Sequence, residues 1–280
     1  MTNLTIHHKA IGLGLRQEFF NTLLAQTDIV DFIEIAPENW LGMGGKRKHL
    51  LNQYLQKLPI VLHGLNLSIG SIAPLNIKFI KSIKAFMREY NILIYSEHLS
   101  FCSDAQGYLY DLLPLPFHDK TIKHVVMKIK QVQDIIEQPL VLENISYYAA
   151  PIQVIKEIDF LNIVIQESGC QLLLDVNNVY VNSINHGYNP YTFIDQLPTN
   201  KICYIHIAGH CQKTDSLIID THGEDVNSSV WQLLQYTYQT HGFFPTLLER
   251  DFNIPNLLSL QQELSTIKSI HNRCESKVFE

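Results

Sequence analysis

The sequence predicts an α/β fold, a (β/α)8 TIM barrel, on three observations: eight short apolar runs, helically spaced segments between them, and a length of 280 residues. The runs fall at residues 11–15, 32–35, 60–62, 93–95, 140–142, 172–174, 203–207 and 246–248. Each is nearly continuous in apolar residues, as parallel strands buried on both faces require. Between them, sets such as Ile77, Ile80, Ile83 and Met87, or Trp231, Leu233, Leu234 and Tyr238, recur at helical spacing. Strand and helix alternating eight times close into a barrel, with an open doubly wound sheet as the alternative. The length suits one domain spanning residues 1–280.

In a barrel, the residues that terminate the strands face a common pocket, so what ends each run carries the chemistry. The first run contains Gly12-Leu13-Gly14, but Gln17 stands where a dinucleotide fingerprint needs its third glycine, so it reads as a tight strand. The third run ends in His63 within LHGLNLS, and the fourth leads to His98 within SEHLS. A long connection follows at 99–117, where Gly107, Pro114 and Pro116 prevent a simple helix; on the strand-end face it is a candidate lid. The fifth run ends in Glu143, and the sixth in Asp175 followed by Asn178. The seventh ends in His206, followed by Asp220 and His222 in DTHGED, and the eighth ends in Glu249 of LERD.

Six consecutive strands thus deliver metal-ligand residue types to one rim. Glu143, Asp175, Asp220 and Glu249 gathered in a partly desolvated pocket would repel one another, and four carboxylates cannot all escape by taking protons. Two or three divalent cations would balance them, with His63, His98, His206 and His222 completing the coordination. Nitrogen and oxygen donors without thiolate suit iron, manganese or zinc. Arg16, Asn39, Asn66, Asn144 and Asn177 are expected to orient a substrate, and Asp175, Asn178 and His210 to act on it directly.

Composition narrows the function classes. The chain carries 21 Lys+Arg against 27 Asp+Glu, a formal charge of −6, which argues against duplex nucleic acid as partner. Five cysteines without a CxxC pair fit reduced thiols. No signal-peptide pattern or run of about 18 apolar residues occurs, so a cytoplasmic protein with no membrane partner is expected. No P-loop or GxSxG motif is present.

The motifs GLGLR, EIAPENW, LHGLNLSIGS, YSEHLSF, LLDVNNVYVNS, HIAGH, DTHGEDV and LLERD together resemble domain-of-unknown-function family 692. Its studied members, such as the methanobactin biosynthesis oxidase, are multinuclear non-haem iron enzymes that oxidise cysteines of ribosomally made precursor peptides. The resemblance runs from about Ile11 to Asp251. It implies a xylose-isomerase-like barrel holding two or three irons in mixed Fe(II)/Fe(III) states, with zinc or manganese able to replace them in recombinant material. It implies dioxygen as co-substrate, a cysteine-containing precursor peptide, and a companion protein that binds the peptide's leader. Carried over residue by residue, His63, His98, Glu143, Asp175, Asn178, His206, Asp220, His222 and Glu249 fall on the family's ligand motifs.

The same ligand order resembles the apurinic endonuclease family, a barrel with three zinc ions, which places Asp-x-x-His where this chain has Asp175-x-x-Asn178. A zinc- or manganese-dependent phosphodiesterase is therefore the alternative function. A metal-dependent sugar isomerase is weaker, because no Lys is placed for that chemistry. A non-enzymatic protein keeping the cluster as a relic is the third class.

Overall fold

The computed structural model describes residues 5–104 and 106–276. Eight parallel strands close into a barrel in the order β1-β12-β9-β8-β7-β4-β3-β2. In chain order these are β1 (Ile11–Gly14), β2 (Phe32–Ile35), β3 (Ile60–His63), β4 (Tyr95–His98), β7 (Val141–Glu143), β8 (Gln171–Asp175), β9 (Ile202–Ile207) and β12 (Thr246–Leu248). Two antiparallel hairpins stand outside it: β5 (Phe101–Asp104) with β6 (Gly107–Leu113), and β10 (His210–Thr214) with β11 (Leu217–Asp220).

Helices α1 (Phe20–Ala25), α2 (Gly45–Leu55), α3 (Ile77–Tyr90), α4 (Asp119–Ile136), α5 (Glu157–Ser168), α6 (Val176–His186), α7 (Pro190–Asp195), α8 (Ser228–His241) and α9 (Leu257–Ser276) make up the outer layer. Each long helix buries one stripe, as α3 does with Ile80, Ile83, Phe86 and Met87. The main core lies between these stripes and the outward faces of the strands. Among the described residues, no helix is long and apolar enough to cross a membrane.

A second, smaller core fills the barrel interior: Phe32, Val61, Val141, Leu173, Tyr204 and Leu247. Strand side chains alternate faces with period two. The residues two positions on therefore also point inward, one layer nearer the strand C-termini. They are Glu34, His63, Glu143, Asp175, His206 and Glu249, and Ser96 is followed by His98 in the same way. The apolar layer is the floor beneath a polar layer. At β1 the floor position is Gly12, because a Cβ there would overlap the Phe32 ring.

One expectation needs correction. The run at 93–95 is not the fourth barrel strand: Leu93 is 70% exposed and β4 begins at Tyr95. The polar Tyr95-Ser96-Glu97-His98 segment is a strand because β3 and β7 pair with both its edges, and tertiary pairing overrides intrinsic preference here. The connection at 99–117 contains the β5–β6 hairpin, irregular between Phe101 and Ser103. The second hairpin was not expected at all.

Candidate metal centre

The strand C-termini open into a cleft of about 690 Å³ lined by His63, His98, Glu143, Asn178, Asp220, His222 and Glu249, with Glu34 and Arg16. His206 and Asp175, both fully buried, lie beneath its surface. A larger groove, about 830 Å³, lies at the other end of the barrel around Pro59 and Ile94; among the described residues it holds no His or Asp and a single carboxylate, Glu89. Lys48 pairs with that carboxylate, so the groove offers no converging ligands.

Among the described residues, three sets of donor atoms at the cleft could each hold a metal ion: His63 with Glu143 and His206, Glu34 with His206 and Glu249, and Asp175 with His222 and Glu249. Within each set the atoms lie within 4.8 Å of one another. The sets share His206 and Glu249, so they form one continuous centre. His206 is bracketed by Glu34 Oε2 on Nε2 and Glu249 Oε2 on Nδ1, each at 3.0 Å. His222 Nε2 lies 2.9 Å from Asp220 Oδ1 and 3.8 Å from Asp175 Oδ2, and its Nδ1 lies 3.3 Å from Glu249 Oε2. His222 adopts a left-handed backbone (φ 45°), a conformation that costs a non-glycine residue and recurs at functional sites.

The donor set suits bound cations. Glu143 Oε2, Asp175 Oδ2, Asn178 Oδ1, His206 Nδ1 and His222 Nε2 are buried and make no hydrogen bond. Four of them approach an opposite group to ion-pair distance without hydrogen-bonding geometry. Such atoms aimed at shared points are what cations require and what packing alone would penalise.

The surrounding hydrogen bonds orient the donors. His98 Nδ1 is 3.1 Å from the Gly64 carbonyl, which only accepts, so Nδ1 carries the proton and the Nε2 lone pair faces the cleft. Burial lowers the His98 pKa to about 4, keeping it neutral. Burial opposes protonation of His63 too, but Glu34 and Glu143 outweigh it and raise its pKa to about 9. His206 and His222 are likewise driven well upward against burial, by Glu34 and Glu249 and by Asp220 and Glu249 respectively. Without metal, protons on imidazoles offset the carboxylates; cations would displace them. Asp175 also caps helix α6, its Oδ1 accepting from Asn178 N at 2.6 Å, so the helix start holds the carboxylate in place.

A family model described as "RiPP precursor modification enzyme MbnB/TglH/ChrH" matches residues 10–272. The chain belongs to that family. Relatives named only as UPF0276 proteins support the assignment. The Shewanella sediminis protein is 52% identical over 258 residues, covering 92% of each chain. The Shewanella oneidensis protein is 49% identical over 269 residues, covering 96% of each. The Acinetobacter baylyi protein is 52% identical over 92% of this chain and 90% of its own.

Among solved structures, the barrel resembles 3-keto-D-glucoside 4-epimerase from E. coli, with a TM-score of 0.64, 13% identity, and coverage of 92% of this chain and 98% of that one. It also resembles a xylose isomerase domain protein from Salmonella typhimurium, with a TM-score of 0.57, 14% identity and 99% coverage of both. At such identities the likeness is one of fold, the xylose-isomerase-like TIM barrel.

In this member of the family, the expected site residues fall into three groups. His63, Glu143, Asp175, His206, His222 and Glu249 belong to the donor sets, and His98, Asn178 and Asp220 approach them at 3.3, 3.1 and 2.9 Å. Arg16 and Asn39 line the cleft, and Arg16 pairs with Asp251 and lies 3.4 Å from Glu249 Oε1.

The other expected polar residues are not part of the cleft lining. Asn144 spends its amide on Asp175, accepting from its N–H and donating to its carbonyl, both at 3.0 Å. Asn177 donates to Asp220 Oδ1 at 2.9 Å, and its Oδ1 lies 2.8 Å from His210 Nδ1. His210 faces a separate open cavity beside Cys211 and Asn253 rather than the cleft. Asn66 does not line the cleft; its backbone N–H donates to Glu38 Oε1 at 3.1 Å.

Glu34 escaped the sequence reading. The signal available was a carboxylate inside an otherwise apolar four-residue strand, FIEI. Tyr204 supports it from β9, donating to Glu34 Oε2 at 2.8 Å.

Proposed function

We propose that the chain is a multinuclear non-haem iron oxidase that uses dioxygen to modify cysteine residues of a ribosomally made precursor peptide. The observation that carries this reading is the run of overlapping His–carboxylate triads sharing His206 and Glu249, in a member of a precursor-modifying family. The proposed ligands are His63, His98, Glu143, Asp175, Asn178, His206, Asp220, His222 and Glu249, joined by Glu34. Bound iron would supply Lewis acidity toward a thiol and the electrons that dioxygen takes up.

The chain's own groups prepare that chemistry. His98 presents a bare lone pair at neutral pH, and Arg16 restrains Glu249 and Asp251. Asn178 donates to Glu143 Oε1 at 3.1 Å and leaves its neutral Oδ1 buried without a hydrogen bond, a weak donor suited to an exchangeable position. Asn144 and Asn177 position Asp175 and Asp220, and His210 acts through Asn177. Asn39 and Arg16 are proposed to meet the peptide at the rim; a companion protein would bind its leader, and the cytoplasm is the proposed compartment.

The test is oxygen uptake by anaerobically iron-loaded protein offered cysteine-containing peptides, with the products read by mass spectrometry. Peptide-dependent uptake that disappears in His98→Ala supports the oxidase; no uptake with any cognate peptide overturns it. Cleavage of a model phosphodiester by zinc-loaded protein, abolished in Glu249→Gln, would point to a hydrolase instead.

A further inference from the structure

Above the metal centre the polar cleft gives way to an apolar collar. Leu65, Tyr110, Tyr148 and Phe252 line its mouth, and all are large side chains left substantially exposed. Tyr110 is the extreme case, at 97% exposure. It sits in the irregular part of β6 with a left-handed backbone, φ 55°, which an aromatic residue adopts only at a cost. Among the described residues, its side chain has no hydrogen bond or ring contact that would repay this.

The hairpin bearing Tyr110 is fixed at its root. Ser68 Oγ, in the segment after β3, accepts from Cys102 N and Ser103 N at 3.0 Å each, and Gly70 N donates to the Ser100 carbonyl at 2.9 Å. Farther out its side-chain hydrogen bonds are local: Asp104 accepts from Gln106 N and Asp111 from Leu112 N. A firmly rooted hairpin thus holds an exposed aromatic ring, carried on a strained backbone, at the mouth of the cleft that contains the His and carboxylate cluster.

We propose that the β5–β6 hairpin is the docking element for the peptide substrate, with Tyr110 as the anchor for an apolar side chain flanking the residue that is modified. The proposal rests on the peptide-modifying reading above and adds how the peptide is gripped. Continuity of the collar with the cleft favours a ligand that touches both, and the collar's apolar groups match apolar side chains better than the hydroxyls of a sugar. The outer lining sets Glu18, Asp111, Asp220 and Asp251 against Arg16 and Arg47, an acidic balance that opposes a polyanion and favours a neutral or cationic peptide as the occupant. Aromatic residues at the edge of a binding site contribute much contact area at little entropic cost.

The test uses the purified full chain under anaerobic conditions, with its metal content measured, and a pool of synthetic heptapeptides with a central Cys and randomised flanks. Retained peptides are sequenced against the input pool. Enrichment of Phe, Tyr, Leu or Ile at one flanking position by about fivefold or more is expected. Tyr110→Ala should bring it near parity at unchanged metal content, while Tyr110→Phe keeps it.

Tyr110→Gly should lose the enrichment without lowering Tm, because glycine accepts the left-handed backbone freely; a merely structural Tyr110 would lose stability instead. Enrichment that survives Tyr110→Ala, or no flanking preference in the native chain although Cys peptides are retained, overturns the docking role and leaves the peptide reading standing. Retention no better than for a pool with Ser in place of Cys overturns both. A change of oligomeric state in Tyr110→Ala, read by sedimentation, would make the hairpin a protein–protein contact and overturn the proposal.

Discussion

His63 and His98 point their Nε2 atoms at each other across the cleft, 3.1 Å apart. Glu143 Oε2 closes the group at 3.0 Å from the first and 3.3 Å from the second. With the His98 lone pair committed to this space, either a proton on His63 or a cation must lie between the rings. His98→Ala is therefore expected to lower the metal bound per chain by about one ion, measured by elemental analysis, since one position loses an essential donor. Unchanged stoichiometry would show that the pair holds only a proton.

Glu34 is expected to matter as much as the ligands read from strand ends. It is the carboxylate on His206 Nε2, and Tyr204 fixes its orientation. Glu34→Gln should weaken metal retention by about 10-fold or more against a competing chelator, because the imidazole loses its charged partner. Far-UV circular dichroism should stay native. Retention equal to that of the unaltered chain would remove Glu34 from the centre.

The floor of the barrel makes a stability prediction. A Cβ at position 12 overlaps the Phe32 ring, and both residues lie in a closed interior that cannot easily expand. Gly12→Ala is expected to cost about 1–3 kcal/mol by denaturant titration. Combined with Phe32→Leu it should cost less than the two single changes added together, because the smaller side chain accommodates the new methyl. Strict additivity would mean the two sites do not meet.

Away from the centre, Glu157 should impose a pH dependence on folding. Burial raises its pKa from 4.5 to about 7, although Tyr147, Asn182 and Tyr188 bond the carboxylate and pull the other way. The folded chain thus holds this proton more tightly than the unfolded chain. The stabilisation is complete below pH 4.5 and is lost as pH rises through about 7. The side chain is only half-buried, so a contribution of about 1–2 kcal/mol is expected after allowing for solvent screening. Glu157→Gln should gain stability relative to the native chain by that amount between pH 5 and pH 8, read by urea titration. An equal difference at both pH values would exclude the effect.

How much of this could be read from the chain follows from which side chains a strand presents. His63, Glu143, Asp175 and Glu249 were legible because each directly follows an apolar run, where a polar residue stands out. Glu34 has Ile33 before it and Ile35 after it, so along the chain it looks like the polar face of a half-exposed strand. Only the closed barrel turns that face inward. The β4 boundary was misplaced for the converse reason: a strand of Tyr, Ser, Glu and His carries no apolar signal of its own, and its neighbours impose it.

The amino-acid sequence by itself determined that strands and helices alternate, that eight strands are buried on both faces, and that His and carboxylate residues end them. Residue types and their spacing are local properties, and local patterns suffice for these conclusions. The tertiary structure decided which donors meet, that His206 and Glu249 are shared, that Asn144, Asn177 and His210 are not part of the cleft lining, and that a hairpin reaches the mouth of the cleft. These depend on inter-strand register and on the closure of the sheet, and a register is a relation between segments that neither segment encodes alone.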